Sequence, residues 1–257
     1  MGNNGNSGNR SGSNFQEDAM TRWILPLLIL TLGGLFTACG GKEKAEPAPE
    51  TTTTQNTDNA ATETKPVLHI LAFDGVQDFH YLVHYRNAED SAILYTPDEV
   101  HTLKPARSAS GAKYQGERFM VWTKGQGDII LFEVDGKEVG PCKVSGLQAI
   151  LEQAWQAGGR FWAAGNEPSW NLVISEEKVL LLTDLGETRQ EFPGLAAADL
   201  DPYAPAGRHV LKSGDHTLEI EIQEGLCGDS MSGAPFPASV TLKLDGVEMR
   251  GCGTGLF

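Results

Sequence analysis

The sequence predicts a mainly β protein in which two small antiparallel, barrel-like domains are joined by one short helix. Short runs of strand-forming residues follow one another about every eight to twelve residues from residue 66 onward. Only one segment has the periodicity of an amphipathic helix. The first 65 residues show neither pattern and are expected to form an export signal and a disordered tether. We therefore divide the chain into residues 1–38, 39–65, 66–148 and 149–257.

Residues 1–38 are interpreted as a polar N-terminal extension followed by a secretory signal. Arg22 precedes an apolar run at residues 23–36, and small residues lead up to Cys39. The run is shorter than the ~20 residues that a membrane-spanning helix needs. We expect cleavage before Cys39, with an uncleaved signal anchor as the alternative.

Residues 35–39, Leu-Phe-Thr-Ala-Cys, resemble a bacterial lipobox, with Phe36 where leucine is usual. The resemblance implies that Cys39 is lipidated and that its acyl chains anchor the mature protein in a membrane. Gly40 resembles the residue found in lipoproteins sorted to the outer membrane, on its periplasmic side. Residues 39–65 are rich in Lys, Glu, Ala, Pro and Thr, which predicts a flexible linker.

The first domain, residues 66–148, is predicted to be a small antiparallel barrel. Its strands are expected at residues 79–85, 92–95, 100–103, 119–122, 129–134 and 139–144. On the strand at 79–85, His80 and His84 share one face with Leu82. Two histidines without a third ligand are too few for a zinc site, so we interpret both as solvent-facing and predict no metal.

One helix is predicted at residues 146–157, and it marks the boundary between the two domains. Ser145 is placed to cap its first turn, and Gln148 to complete a capping box. Gly158 ends the helix. An apolar stripe consists of Leu147, Ile150, Leu151, Ala154 and Trp155.

The second domain, residues 149–257, is again rich in strands. They are expected at residues 160–164, 170–174, 179–183, 208–211, 216–222, 239–244 and 247–251. In an exported protein Cys227 and Cys252 are expected to form a disulfide, which leaves Cys142 without a partner.

Three segments of the second domain resemble an uncharacterised family of bacterial envelope lipoproteins. They are residues 161–170, 227–233 and 250–253. We interpret Asn166, Glu167 and Trp170 as residues that fix a turn against the core. A ligand site that also includes Asp229 is one alternative, and a hydrolase that uses Glu167 or Asp229 is another.

Two Gly-bearing turns flank the strand at residues 119–122. Ser110-Gly111 precedes this strand and Lys124-Gly125 follows it, so a hydroxyl and an ammonium are expected in two loops at the same rim. Without further context, both are ordinary turn residues.

Residues 108–114, Ser-Ala-Ser-Gly-Ala-Lys-Tyr, and residues 119–125, Phe-Met-Val-Trp-Thr-Lys-Gly, resemble a two-loop signature. It is that of the family of membrane-bound lysozyme inhibitors of c-type lysozyme (MliC). Ser110 and Lys124 are 14 positions apart, as in that family. The resemblance runs from about His69 to Val144.

The resemblance implies a barrel that inserts two loops into the active-site cleft of a c-type lysozyme and has no enzymatic activity or cofactor of its own. It implies these interface residues: Ser110, Gly111, Lys113, Tyr114, Thr123, Lys124 and Gly125. Ser110 and Lys124 are expected to hydrogen-bond to the two catalytic carboxylates of the enzyme. Tyr114 and Trp122 are expected to carry the fold. Basic side chains, namely Arg107, Lys113, Arg118 and Lys124, are expected to cluster around the loops.

The sequence departs from the family at one cysteine. Family members pair a cysteine early in the domain with one near its end, whereas Phe73 occupies the early position here. Cys142 is therefore expected to be a free thiol, and the barrel lacks a covalent link.

The formal net charge of −14 restricts the classes of partner. Residues 149–257 carry 16 acidic and 7 basic side chains, which repel phosphates and exclude nucleic acid. The charge favours a basic partner, with plain solubility as the alternative. The sequence thus predicts a lipid-anchored lysozyme inhibitor, and the rival hypothesis is a small-molecule binding or sensing lipoprotein that acts through the second domain.

Overall fold

The structure is a computed structural model that describes residues 67–125, 127, 129–196, 199, 201 and 206–257. The export signal, Cys39 and the linker, predicted within residues 1–65, lie outside the described residues. All described secondary structure belongs to one compact unit, Ala61–Phe257. No helix in the described ranges is long and apolar enough to span a bilayer.

The described part of the chain is mainly β, with two curled antiparallel sheets and one α-helix, as the sequence predicts. The first sheet has the strand order β8-β7-β6-β5-β4-β3-β2-β1-β9, so nearly every strand pairs with its neighbour in the chain. Its strands are β1 (Ile70–Asp74), β2 (His80–Arg86), β3 (Ser91–Tyr95), β4 (Val100–Pro105), β5 (Ala112–Gln115), β6 (Phe119–Lys124), β7 (Ile129–Val134), β8 (Lys137–Glu138) and β9 (Lys143–Val144).

The second sheet has the order β13-β12-β11-β10-β17-β16-β15-β14, with β10 beside the last strand β17. Its strands are β10 (Gly159–Asn166), β11 (Ser169–Ser175), β12 (Lys178–Thr183), β13 (Thr188–Pro193), β14 (Gly207–Ser213), β15 (His216–Gly228), β16 (Pro235–Leu244) and β17 (Val247–Gly255).

Five strands differ from the sequence prediction: β9 is shorter than expected, and β1, β5, β8 and β13 were not expected. The strand expected at residues 139–144 is reduced to β9, because Pro141 has no N–H to donate to a ladder. Strands β5 and β13 were not predicted, since neither carries the apolar alternation that marks a half-buried strand. Both are formed by pairing, β5 with β6 and β13 with β12.

Aromatic side chains fill the interior of the first sheet. Phe73 is fully buried, stacks on Tyr81 with ring centroids 5.0 Å apart and meets Phe132 edge-on at 5.4 Å. Cys142 is a free thiol packed against this cluster. Burial raises the pKa of that thiol, with a further contribution from Glu138. Aromatic packing therefore fills the space at Phe73, where the resembled family has a cysteine.

The two faces of β2 enter two different cores. Tyr81, Val83 and Tyr85 point into the first sheet, whereas Leu82 points into a second cluster between the sheets. We call this second cluster the junction. It consists of Leu68, Ile70, Ala72, Leu82, Ile93, Tyr95, Leu151, Ala154, Trp162, Ala234, Phe236, Cys252 and Leu256.

The prediction that His84 faces solvent is wrong. His84 is fully buried at the junction, where its Nε2 lies 2.8 Å from Thr254 Oγ1 and Phe257 packs edge-on to its ring. Burial lowers the pKa of His84 to about 3, and the positive charge of Arg86 adds to the effect. His80 is half-exposed, and its Nδ1 lies 2.8 Å from Asp74 Oδ1.

Helix α1 (Gly146–Gln156) covers the edge of the junction. Ser145 caps it as predicted, because its Oγ accepts from the N–H of Leu147. The predicted capping-box role of Gln148 is wrong. Its buried side-chain amide accepts from the Ala72 N–H at 2.8 Å and donates to the Ile70 carbonyl at 3.2 Å. The Gln148 side chain therefore links helix α1 to the backbone of β1.

The second sheet has a mainly aliphatic core, which also contains Phe161, Trp170 and Phe192, and a covalent link. Cys227 and Cys252, which are 25 positions apart, form a disulfide, and this is the pair expected from the sequence. The interior side chains of β11, β12, β15 and β16 are almost fully buried. They are Leu172, Ile174, Val179, Leu181, Leu218, Ile220, Ile222, Val240 and Leu242.

Candidate functional site

The strand pairing of β5 with β6 places the two Gly-bearing turns at one end of the first sheet. Ala112 lies opposite Thr123, so the loop before β5 and the loop after β6 leave the ladder at the same end. The β2–β3 connection lies at that end too. Strands β2, β3 and β4 pair antiparallel in succession, so the connections after β2 and after β4 lie at the same end of the sheet. We call residues 87–90, 106–111 and 124–125 the loop rim.

Trp122 connects the two loops of the rim. Its indole Nε1 donates to the Ser110 carbonyl at 2.8 Å, and the Lys124 ammonium lies 3.7 Å from the centroid of its ring. The Lys113 ammonium lies over the same ring at 5.3 Å. One indole therefore fixes the backbone of one loop and holds the cation of the other.

The interpretation of Trp122 as a core residue is wrong. Phe119 and Val121 take the interior positions of β6, so the alternation of the strand turns Trp122 and Lys124 to the outer face. Trp122 is half-buried there rather than enclosed. The same period of two, counted from Phe119, could have identified this position from the sequence.

Gly111 brings the two loops into backbone contact. Its φ is +73°, and a Cβ at this position would collide with the Thr123 carbonyl. The Ser108 hydroxyl donates to the Gly111 carbonyl at 3.0 Å and closes the turn. Ser110 and Gly125 are exposed beside this contact, and Lys124 is half-exposed.

Tyr114 and Thr123 support the rim from below. Tyr114 packs on Tyr85, with ring centroids 5.3 Å apart, and joins the interior cluster. Burial raises the pKa of Tyr114, and the nearby charge of Asp90 raises it further. The Thr123 hydroxyl donates to the Ala112 carbonyl at 3.4 Å, which ties β6 to β5. Tyr114 thus carries the fold, as expected.

The expected cluster of four basic residues is only partly present at the loop rim. Arg107, Lys113 and Lys124 lie at or beside it. Arg118 lies in the β5–β6 turn, which is the opposite end of these strands. There its guanidinium pairs with Glu99 at 3.3 Å and Asp135 at 3.5 Å. The prediction for Arg118 is therefore wrong, since four ladder positions of β5 separate it from the rim.

The second sheet brings together Asn166 and Asp229 but separates Trp170 from them. The Asn166 amide donates to Asp229 at 2.8 Å, and Asp229 also accepts from the backbone N–H of Ser232 at 2.7 Å. Burial acts to raise the pKa of Asp229, but these hydrogen bonds outweigh it and the net pKa is lowered. Trp170 is buried inside the sheet, and Glu167 is exposed. These contacts fix a turn.

The fold and the loop rim define a mainly β protein in which two loops are tied together at one end of a curled antiparallel sheet. Residues 79–139 match the family described as membrane-bound lysozyme-inhibitor of c-type lysozyme. The match confirms the resemblance seen in the sequence and contains the whole loop rim. It covers less than half of the chain, and the helix and second sheet lie outside it. Comparisons with curated proteins and with solved structures found no match.

Proposed function

We propose that this protein is a lipid-anchored inhibitor of c-type lysozyme that inserts the loop rim into the active-site cleft of the enzyme. The observation that carries the proposal is the indole of Trp122, which holds the Ser110 backbone and the Lys124 ammonium side by side. Both residues belong to the segment that matches the inhibitor family.

The chemistry of the target explains why a hydroxyl and an ammonium are useful together. A retaining glycosidase needs one carboxyl group protonated, as the acid, and its partner ionised. The Lys124 ammonium beside the acid favours the ionised form and so removes the proton that the reaction requires. The Ser110 hydroxyl can donate to the second carboxylate. Excluding water from the pair strengthens both interactions.

Trp122 also reduces the cost of binding. A free lysine side chain loses about 1.5–2 kcal/mol of conformational entropy when it is fixed in a complex. The Lys124 ammonium already lies on the indole face, so part of this cost is met before the enzyme arrives.

The charge distribution matches such a partner at two places. Lys113 and Lys124 present positive charge to an acidic cleft, while the acidic residues of the second sheet attract a basic protein body over a longer range. Attachment through Cys39 on the periplasmic side of the outer membrane would hold the inhibitor where lysozyme reaches the cell wall. Inhibition of this kind is stoichiometric and needs no turnover.

The proposal is tested by measuring lysis of cell walls by a c-type lysozyme after incubation with residues 61–257. The unaltered protein is expected to lower the rate, and Ser110→Ala combined with Lys124→Ala to restore most of it. Arg118→Gln is the matched control, because it removes a cation at the opposite end of the same strands. The proposal fails if the unaltered protein at micromolar excess leaves lysis unchanged.

The rival hypothesis, a small-molecule site formed by Asn166, Glu167, Trp170 and Asp229, has less support, because Trp170 is buried inside the second sheet. The carboxylate oxygens of Asp229 already accept hydrogen bonds from Asn166 and from residues of the turn at 229–234. Use of Asp229 as a catalytic acid also conflicts with its lowered pKa, which keeps it ionised.

A further inference from the structure

A groove with a volume of about 320 Å³ lies between helix α1 and the outer face of the second sheet. This volume falls within the range of pockets that hold small molecules. We call it the helix groove. Its apolar lining consists of Ile150, Ala154, Trp162, Val173, Leu180 and Leu182.

The outer face of β11 and β12 is more apolar than the sheet requires. The inward residues of these strands, such as Leu172 and Leu181, are fully buried in the core. Val173, Leu180 and Leu182 alternate with them and therefore point outward, where a sheet with one solvated face normally carries polar residues. All three stay partly exposed. Val173 also packs against the junction, whereas Leu180 and Leu182 belong to neither core and leave an apolar surface at the groove.

The helix provides the facing wall. Ile150 is 47% exposed although it belongs to the apolar stripe of α1, because Leu151 and Ala154 point into the junction and Ile150 faces the groove instead. Trp162 lies between the two walls and is almost completely buried.

Two cations line the groove and share one carboxylate. Lys178 donates to Glu191 at 3.0 Å, and Arg189 donates to the same Glu191 oxygen at 2.6 Å. These hydrogen bonds lower the pKa of Glu191, and the bond from Arg189 has the larger effect. Lys178 and Arg189 carry two positive charges, and Glu191 neutralises one of them. The other positive charge can pair with an anionic group of a ligand in the groove.

We propose that the helix groove binds a medium-chain fatty acid. The chain lies along Trp162 between Ile150 and Leu180, and the carboxylate takes a position beside Lys178 and Arg189. A volume of about 320 Å³ lies at the lower end of the range of ligand pockets, which favours a medium-chain over a long-chain ligand. This site lies outside the segment that matches the inhibitor family, and the proposal does not depend on lysozyme binding.

The test is calorimetric titration of residues 61–257 with decanoate, octanoate and decanol. Burial of a methylene group adds about threefold to fourfold in affinity, so decanoate is expected to bind about tenfold more tightly than octanoate. Decanol has the same chain without the charge and is expected to bind about threefold to tenfold more weakly than decanoate. Absence of saturable binding, or equal binding of decanoate and octanoate, overturns the proposal.

Two variants separate the charged end from the apolar wall. Arg189→Gln is expected to weaken decanoate about threefold to tenfold and to leave decanol unchanged, whereas Leu180→Ser weakens both. The matched control is Arg208→Gln, because Arg208 pairs with Glu219 on the same sheet and does not line the groove. Thermal unfolding followed by circular dichroism confirms that each variant is folded. Equal effects of Arg189→Gln and Arg208→Gln overturn the assignment of the charged end.

A chain that starts at residue 40 tests the competing occupant. If this longer chain binds decanoate more than tenfold more weakly than residues 61–257, then the N-terminal segment occupies the groove and the fatty-acid proposal is wrong. Equal affinities support it.

Discussion

The cores of the two sheets of this protein are stabilised in different ways. The first sheet, β1–β9, fills its interior with aromatic rings around Phe73 and has a free thiol at Cys142. The second, β10–β17, has long hairpins, a mainly aliphatic interior and the Cys227–Cys252 disulfide. The sheet that carries the loop rim is the one without a covalent link.

We interpret the second sheet as a scaffold for the first. The apolar side chains on the outer faces of β1–β3 are buried, because helix α1 and strands β16 and β17 cover them at the junction. The first sheet can therefore devote one end to exposed loops while its stability is shared with its neighbour. This interpretation makes the junction the most sensitive part of the protein.

Removing a junction side chain is expected to have the largest effect. Leu151 is fully buried between the sheets, so Leu151→Ala is expected to cost about 2–5 kcal/mol of unfolding free energy. Because both sheets contact this cluster, urea unfolding is expected to shift as one transition. Two separate transitions, of which only one moves, would contradict the shared junction.

Removing the disulfide is expected to cost somewhat less. Because Cys227 and Cys252 are 25 positions apart, replacing both by serine should lower the unfolding free energy by about 3 kcal/mol. Cys142→Ser serves as the comparison, since Cys142 is already a free thiol and its replacement should change stability by less than about 1 kcal/mol. If Cys142→Ser lowers the unfolding free energy more than loss of the disulfide does, the proposed difference between the two sheets is wrong.

His84 should make the junction sensitive to acid. Its pKa is about 3 when folded and near 6.5 when unfolded, so as the pH falls below about 6.5 the unfolded chain takes up a proton that the folded chain does not. The contribution of neutral His84 is therefore complete above pH 6.5 and declines toward pH 3. At pH 5 the loss is about 2 kcal/mol.

The measurement for His84 is urea unfolding at pH 7 and pH 5, with His84→Gln beside the unaltered protein. The variant is expected to lose less stability between these two values. His80→Gln is the control, because His80 is half-exposed and is not enclosed between the sheets. Identical pH dependence for the protein and its His84 variant would exclude His84 as the cause.

The smallest expected effect is confined to the loop rim. Trp122→Phe keeps an aromatic face under Lys124 but removes the donor to the Ser110 carbonyl. Loss of this bond should weaken inhibition of lysozyme about fivefold, equivalent to about 1 kcal/mol. Unfolding free energy should change by less than about 1 kcal/mol. A large loss of stability without a change in inhibition would show that Trp122 serves the fold alone.

Much of the fold follows from local patterns in the sequence. The alternation at Tyr81, Val83 and Tyr85 predicts which face of β2 is interior, and the Asp135-Gly136 and Asp245-Gly246 turns predict hairpins that the structure contains. In each case the signal and its cause lie within a few residues of each other. The position of the two loops at one rim follows from the same kind of pattern.

The remaining features depend on contacts that local patterns do not contain. The outer face of β2 is buried only because Thr254, 170 positions away, approaches His84. Gln148 has a good capping-box position, yet its amide pairs with β1, which lies 76 positions earlier at Ala72. Trp122 reads as a core residue because of its size. Its function at the rim depends on which face of β6 is turned outward.

The contact between His84 and Thr254 also means that the junction can be completed only late in synthesis of the chain. The chain is made from its N-terminal end at about 5–20 residues per second, so roughly ten to thirty seconds separate β2 from the strand that covers it. During the first part of this interval, before helix α1 is made, the apolar outer side of β1–β3 has no native partner, and the cover is complete only with β16 and β17. A nascent chain therefore exposes apolar surface for a time, and protection by a holding chaperone is most valuable before β17 is complete.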